Sequence, residues 1–178
     1  MRLVTRRTAL VVCLAALVVA GLATGAVRAA GSRSSMAALE GGVLAKLNGI
    51  RTAHGLRPLT VNPQLSAAAR RHTAEMLADG TFEHESPGGA SFSERIRSFY
   101  GQAGKSRWAV GENLLWSAPA VGPKRALEVW MASPGHRENI LSPTWREIGI
   151  AAEHADTSLG VFGGGEVTVI TTDFGARR

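Results

Sequence analysis

Two histidines and a glutamate carry the most chemistry in this chain: His84, Glu112 and His136, separated by 28 and 24 residues. Two imidazoles and one carboxylate, with water completing the sphere, form an open zinc arrangement that can bind or activate a small ligand. No His-Glu-x-x-His run fixes two of them on one helical turn, so three separate elements must deliver them. His84 lies in the turn-rich loop from Thr81 to Ser91, between Glu83 and Glu85, whose charges raise its pKa where they stay close. Glu112 interrupts the apolar run Ala109 to Trp116. Unpaired burial of its charge costs too much, so it either faces solvent or is buried with a partner, and the adjacent Asn113 is a candidate to hold it.

His136 belongs to the least generic stretch, Trp130-Met-Ala-Ser-Pro-Gly-His-Arg-Glu-Asn-Ile-Leu141. A helix opening at Pro123, with Ala126, Trp130 and Ser133 on one face, is expected to stop near Ser133. Pro134 disfavours helical geometry in the residue before it, and Gly135 tolerates a left-handed turn. The imidazole then stands just past a helix end, where rigid structure on both sides can aim it into a cleft.

The remaining elements follow from periodicity. Leu39, Val43, Leu47 and Ile50 give one apolar face over Met36 to His54, with Gly55 as the stop and His54 as a partner for the negative helix end. Asn62-Pro63 is a cap followed by proline at the first helical position, and it opens a helix to about Asp79, closed by Gly80. Its stripe is Leu65, Ala69, His72 and Met76, which makes His72 a hydrogen-bonded core histidine. Phe92, Ile96 and Phe99 mark a short helix from Ser91 to Tyr100, and Gly101 to Arg107 is a polar loop. Glu147 to Ala152 alternates like a strand, with Ile148 and Ile150 on one face. Glu153 to Thr157 reads as a turn with His154 solvated. Val161-Phe162, a turn at Gly163 to Gly165, and Val167 to Thr172 complete an antiparallel pair.

Residues 1–29 read as a secretory signal: Arg2, Arg6 and Arg7 precede an uncharged run from Thr8 to Val27, and Val27-Arg28-Ala29 offers a cleavage site. Arg6-Arg7 also fits twin-arginine export, and an uncleaved anchor is the main competitor. Cys13, the single cysteine, sits inside this run as signal-peptide filler rather than a lipidation site. Residues 30–37 form a linker and residues 38–178 one domain, held together by an apolar core without crosslinks. Removing residues 1–29 deletes four arginines and no acid, which lowers the formal charge from +6 to +2. The remaining basic residues are interleaved with acids, so no nucleic-acid partner is expected.

Several short motifs occur in order: Leu47-Asn48-Gly49-Ile50-Arg51, Leu65 with Ala68 and Ala69, Phe82-Glu83-His84, Gly111-Glu112-Asn113-Leu114, Trp130 with Ser133 to Leu141, Gly149, and Thr172-Asp173-Phe174-Gly175. Together they resemble the CAP superfamily, the SCP-like domain of cysteine-rich secretory proteins, antigen 5 and pathogenesis-related 1 proteins, in its bacterial cysteine-free form. The resemblance covers nearly all of residues 38–178. It implies an α+β fold, a three-layer α-β-α sandwich with a small antiparallel sheet and a central cleft.

In that family two histidines and two acids converge in the cleft, and some members bind zinc or another divalent ion there. The resemblance places His84, Glu112 and His136 on three of those positions, and zinc or magnesium is the expected cofactor. The fourth position, usually a glutamate, falls on Ser133. Glu128 precedes it by five residues, about 140° around a helix, and points away. Glu138 stays open as a substitute, and Asn113, Ser133 and Glu138 are expected to line or support the cleft. Two functions compete. One is a secreted binding module, taken as a monomer, for a divalent ion and a small-molecule, lipid or cell-envelope partner. The other is a metal-dependent hydrolase, protease or esterase, in which the histidines hold the ion and Glu112 polarises water.

Overall fold

The computed structural model describes residues 35–178, so the expected signal, Cys13 and most of the expected linker lie outside the described residues. Helix α1 runs over residues 35–53 and already includes residues 35–37 of the expected linker, where Met36-Ala37-Ala38 continues in good helix formers. Strand β1 (Thr60–Val61) and helices α2 (Pro63–Asp79) and α3 (Phe92–Phe99) follow. Then come β2 (Trp108–Ser117), α4 (Pro123–Ala132), α5 (Pro134–Leu141), β3 (Glu147–Ala155), a 3-10 turn (Gly160–Phe162) and β4 (Val167–Arg177). Among the described residues no helix is long and apolar enough to cross a membrane.

The helix boundaries are chemical. Asn62 Oδ1 accepts from the backbone N–H of Gln64 at 2.8 Å and of Leu65 at 3.3 Å. Pro63 fills a first position that needs no donor, and Gly80 closes α2 at φ +67°. Ser91 and Glu94 form a reciprocal capping box at the start of α3.

The sheet order is β1-β3-β4-β2. β4 runs antiparallel to both neighbours, and the two-residue β1 adds a parallel pairing to β3. Because successive side chains of a strand point to opposite faces, this register sorts the core into two layers. Leu115, Ile148, Ile150, Ile170 and Phe174 pack against α1 and α4, with Trp130 at 0% exposure among them. On the other face Glu112, Asp173 and Gly149 lie in one row across three strands, beneath α2 and α3. The result is the expected three-layer α-β-α sandwich.

Four local expectations are corrected. Gly135 takes no left-handed turn. Proline at a first helical position is compatible with helix, so Ser133 closes α4 and opens α5 at once, and His136 sits inside α5. His154 is not solvated but belongs to β3, where its Nδ1 lies 3.0 Å from Thr168 Oγ1 and its Nε2 3.1 Å from Glu166. Val161-Phe162 forms part of the 3-10 turn, and β4 takes β2 and β3 as its partners instead. The α1 face continues from Leu47 to Arg51, fully buried, whose guanidinium donates to the carbonyls of Ile140 at 2.7 Å and Ser142 at 2.9 Å. Ile50 is only half-buried there.

Helix α2 reaches the sheet because Gly149 has no side chain: a Cβ there would lie 2.0 Å from the Leu65 carbonyl carbon. Backbone cannot yield as a side chain can. Gly149→Ala is therefore expected to lower stability by about 3 kcal/mol, the upper part of the overpacking range, measured by chemical denaturation. An unchanged midpoint would mean that α2 does not pack this closely.

Candidate functional site

Glu112 is the centre of the site. It sits on β2 with a fully buried side chain, and each of its oxygens has a partner. Oε1 accepts from His84 Nδ1 at 2.8 Å, and Oε2 pairs with Arg95 Nη2 in a short charge-assisted contact. Arg95 comes from α3, buried beside Ile96. Its second terminal nitrogen donates to the His84 carbonyl at 2.9 Å and to Ser86 Oγ at 3.2 Å, so one guanidinium ties the loop, α3 and β2 together.

Asp173 stands directly opposite Glu112 on β4 and is completely buried. Two like charges at facing sheet positions repel. Burial, and then the Glu112 charge, hold the Asp173 carboxyl well above the usual carboxylate range. His72 lies beside the cluster, and burial pushes its pKa down. Its Nε2 is 2.8 Å from the Glu83 carbonyl, which can only accept, so that nitrogen carries the proton. This is the core histidine that the α2 stripe implies.

His136 approaches from α5 across the outer edge of β2. That edge is tied to α4 and α5 by side chains: Trp130 Nε1 donates to the Leu114 carbonyl at 2.9 Å, and Asn139 Nδ2 to the Glu112 carbonyl at 3.0 Å. Asn113 does not hold Glu112, because adjacent strand residues face opposite ways. It donates to the His136 carbonyl at 3.0 Å and accepts from Asn139 at 2.9 Å, fixing α5 in place. Nδ1 of His136 is buried with no hydrogen-bond partner among the described residues, and burial, then the nearby His84, lower its pKa.

The structure thus places His84 in direct contact with Glu112, and His136 near enough to His84 to feel its charge. Ser133 is the shared cap of α4 and α5, and its side chain makes no capping bond. Glu138 is exposed on α5 and lines a shallow hollow with Met131, Pro134 and Leu141, away from Glu112. Glu128 points outward and pairs with Lys124 and Arg125.

Arg95, Asp173 and Asn139 escaped the sequence reading. Arg95 had a visible signal, a cation on the Phe92/Ile96/Phe99 face that demands a buried acid. Asp173, an acid inside a β-branched strand, had the same one.

As a candidate metal centre the site offers imidazole nitrogen and not carboxylate oxygen. A histidine that donates one ring nitrogen to a carboxylate is oriented to ligate with the other, and His84 is held so by Glu112. Glu112 itself has no free oxygen and carries the Arg95 charge beside it. Among the described residues no group of three His, Cys, Asp or Glu side chains is disposed to hold an ion. The direct ligands on offer are the two imidazoles.

Two measurements follow from this electrostatics. The hydrogen bond to Glu112 holds His84 above the ordinary imidazole pKa, while burial holds His136 below it. The stability His84 contributes is present below its ordinary pKa and is lost as pH rises through the raised value. His136 has the opposite sign, contributing above its ordinary pKa and losing that contribution as pH falls through the lowered value. NMR titration should find His84 titrating above His136, with the gap narrowed in Glu112→Gln. Because burial and the Glu112 charge both favour the neutral acid at Asp173, the neutral isostere in Asp173→Asn should leave stability at pH 7 within about 1 kcal/mol; a large loss would mean Asp173 is charged.

With this geometry in place, comparison with known proteins gives a consistent answer. The chain is 35% identical over 117 residues to YkwD, an uncharacterized protein of Bacillus subtilis (strain 168), covering 66% of this chain and 43% of that one. It spans less than half the length of that relative. Its fold is similar to an extracellular protein containing an SCP domain from Bacillus anthracis, with a TM-score of 0.62 and 24% identity over 80% of this chain and 42% of that one. It is also similar to an outer surface protein from Borrelia burgdorferi, with a TM-score of 0.60 and 17% identity over 76% and 90% of the two chains. Residues 44–169 match the model of the CAP, cysteine-rich secretory protein, family. That match spans the loop of His84, the strand of Glu112 and the helix of His136, and the chain belongs to this family.

Proposed function

We propose that the protein works outside the cytoplasm as a binding module, with its ligand-binding cleft at His84 and His136. One observation carries this reading: both oxygens of Glu112 are engaged, one by His84 and one by the buried Arg95. A carboxylate so committed orients an imidazole well. It serves poorly as the base that activates water, since a base needs an oxygen within reach of the proton it removes. The binding reading is favoured over the metal-dependent hydrolase for that reason.

A divalent ion, zinc or magnesium, would be held by His84 and His136, with Glu112 as the outer partner that fixes the His84 ring. Zinc is the better match to imidazole nitrogen. When bound, the ion supplies positive charge to a polar group of a small-molecule or lipid ligand. The buried, unpartnered Nδ1 of His136 supports such a role, because an orphaned polar atom is costly unless something engages it. With two protein ligands the ion stays largely hydrated and its affinity is modest. The extracytoplasmic location is supported by the leader pattern in residues 1–29 and by the extracellular and outer-surface proteins of the same fold.

Calorimetry with zinc and with magnesium checks this. The expected result is zinc uptake by the wild type, abolished in His84→Ala and in His136→Ala, and weakened about tenfold or more in Glu112→Gln through loss of the outer partner. Identical uptake by all four proteins would overturn the assignment. Chelator-sensitive turnover in a peptide and ester screen, lost in Glu112→Gln, would favour the hydrolase instead.

A further inference from the structure

We propose a second binding site, for a phosphate ester, in a groove at the start of β2 that shares no residue with the His84–Glu112–His136 cluster. The groove has a volume of about 660 Å³ and is lined by Arg97, Arg107 and Arg178 around Trp108, Pro143 and Ala176, with no acidic residue in its wall. Five of the 20 basic residues and none of the 14 acids precede residue 35, so the described chain carries a formal charge of only +1. Three guanidiniums in one hollow are therefore a local concentration and not a share of general basicity.

The backbone forces two of them together. Arg107 N–H donates to a main-chain oxygen of Arg178 at 3.0 Å, and Arg178 N–H returns a bond to the Arg107 carbonyl at 3.1 Å, one rung beyond the Trp108–Arg177 pair. Residues so exchanged are directly opposite, where like charges destabilise the sheet. None of the ion pairs among the described residues engages Arg97, Arg107 or Arg178. Glu94, one turn before Arg97, is itself bound to Ser91. Arg97 stacks on the Trp108 ring at 4.5 Å, which holds its planar fork at the groove while its donors remain available.

An anion bridging these groups relieves the repulsion, and a phosphate oxygen set matches several guanidinium forks better than a single carboxylate does. The groove is larger than one phosphate, and its Trp108, Pro143 and Ala176 surfaces suit the carbon portion of an ester. The same head group occurs on soluble phosphate esters and on lipids.

The test uses the full chain at low ionic strength, with glycerol 3-phosphate in calorimetry and phosphatidylglycerol vesicles in co-sedimentation against phosphatidylcholine vesicles. R97Q/R107Q replaces two exposed arginines; the lost stacking on Trp108 and the relieved Arg107–Arg178 repulsion oppose each other, so its denaturation midpoint should stay close to wild type. K124Q/R125Q removes the same charge on α4 and serves as the control. The expected result is binding that falls about tenfold in R97Q/R107Q and not in K124Q/R125Q. Binding of the soluble ester makes the source a free phosphate ester; binding confined to the anionic vesicles makes it a lipid headgroup. No binding of either probe, or equal loss in both variants, would overturn the proposal.

Discussion

A carboxylate cannot be buried alone, and the structure around Glu112 is arranged to satisfy that constraint. The Arg95 guanidinium answers its charge from inside the protein, and its other terminal nitrogen reaches the loop that carries His84. One ion pair therefore fixes a helix, a loop and a strand that are far apart in sequence. Its net contribution to stability need not be large, because desolvation offsets much of the attraction. Its contribution to geometry is direct. It fixes a half-exposed imidazole with one ring nitrogen bound to a carboxylate. It also bears on Asp173: the Glu112 charge on the facing strand adds to burial in raising that carboxyl, and Arg95, already committed to Glu112, offsets only part of the rise.

The second constraint is the outer edge of β2. An unpaired strand edge invites association with other chains unless something covers it. Here α4 and α5 do so, through the indole of Trp130 and the amide of Asn139. The stretch from Trp130 to Leu141 thus serves two ends at once. It caps the strand that holds Glu112, and it presents His136 to the same cluster. Arg51 secures its far end through the carbonyls of Ile140 and Ser142, so α1 anchors the end of α5.

Much of this was legible in the sequence. The cap at Asn62-Pro63 and the stops at Gly55 and Gly80 rest on local stereochemistry, which a single chain displays. The convergence of His84, Glu112 and His136 rested on the resemblance, since no periodicity links residues on three elements. What the sequence hid depends on register. Asn113 follows Glu112, yet pleating sends them to opposite faces, and only the strand pairing reveals Asp173 as the true neighbour. His154 looked solvated because β3 was read too short. Gly135 looked like a turn because glycine permits one, while Pro134 at a first helical position favoured helix.

A double-mutant cycle on Arg95 and Glu112 tests the central claim most directly, with Arg95→Met, Glu112→Gln and the pair compared by chemical denaturation at neutral pH. Each single substitution strands a buried polar or charged group and should cost about 3 kcal/mol or more, whereas the double variant removes both charges and should be much closer to wild type than the sum. Strictly additive losses would contradict the account, because Arg95 and Glu112 would then be stabilised by their separate surroundings and not by each other.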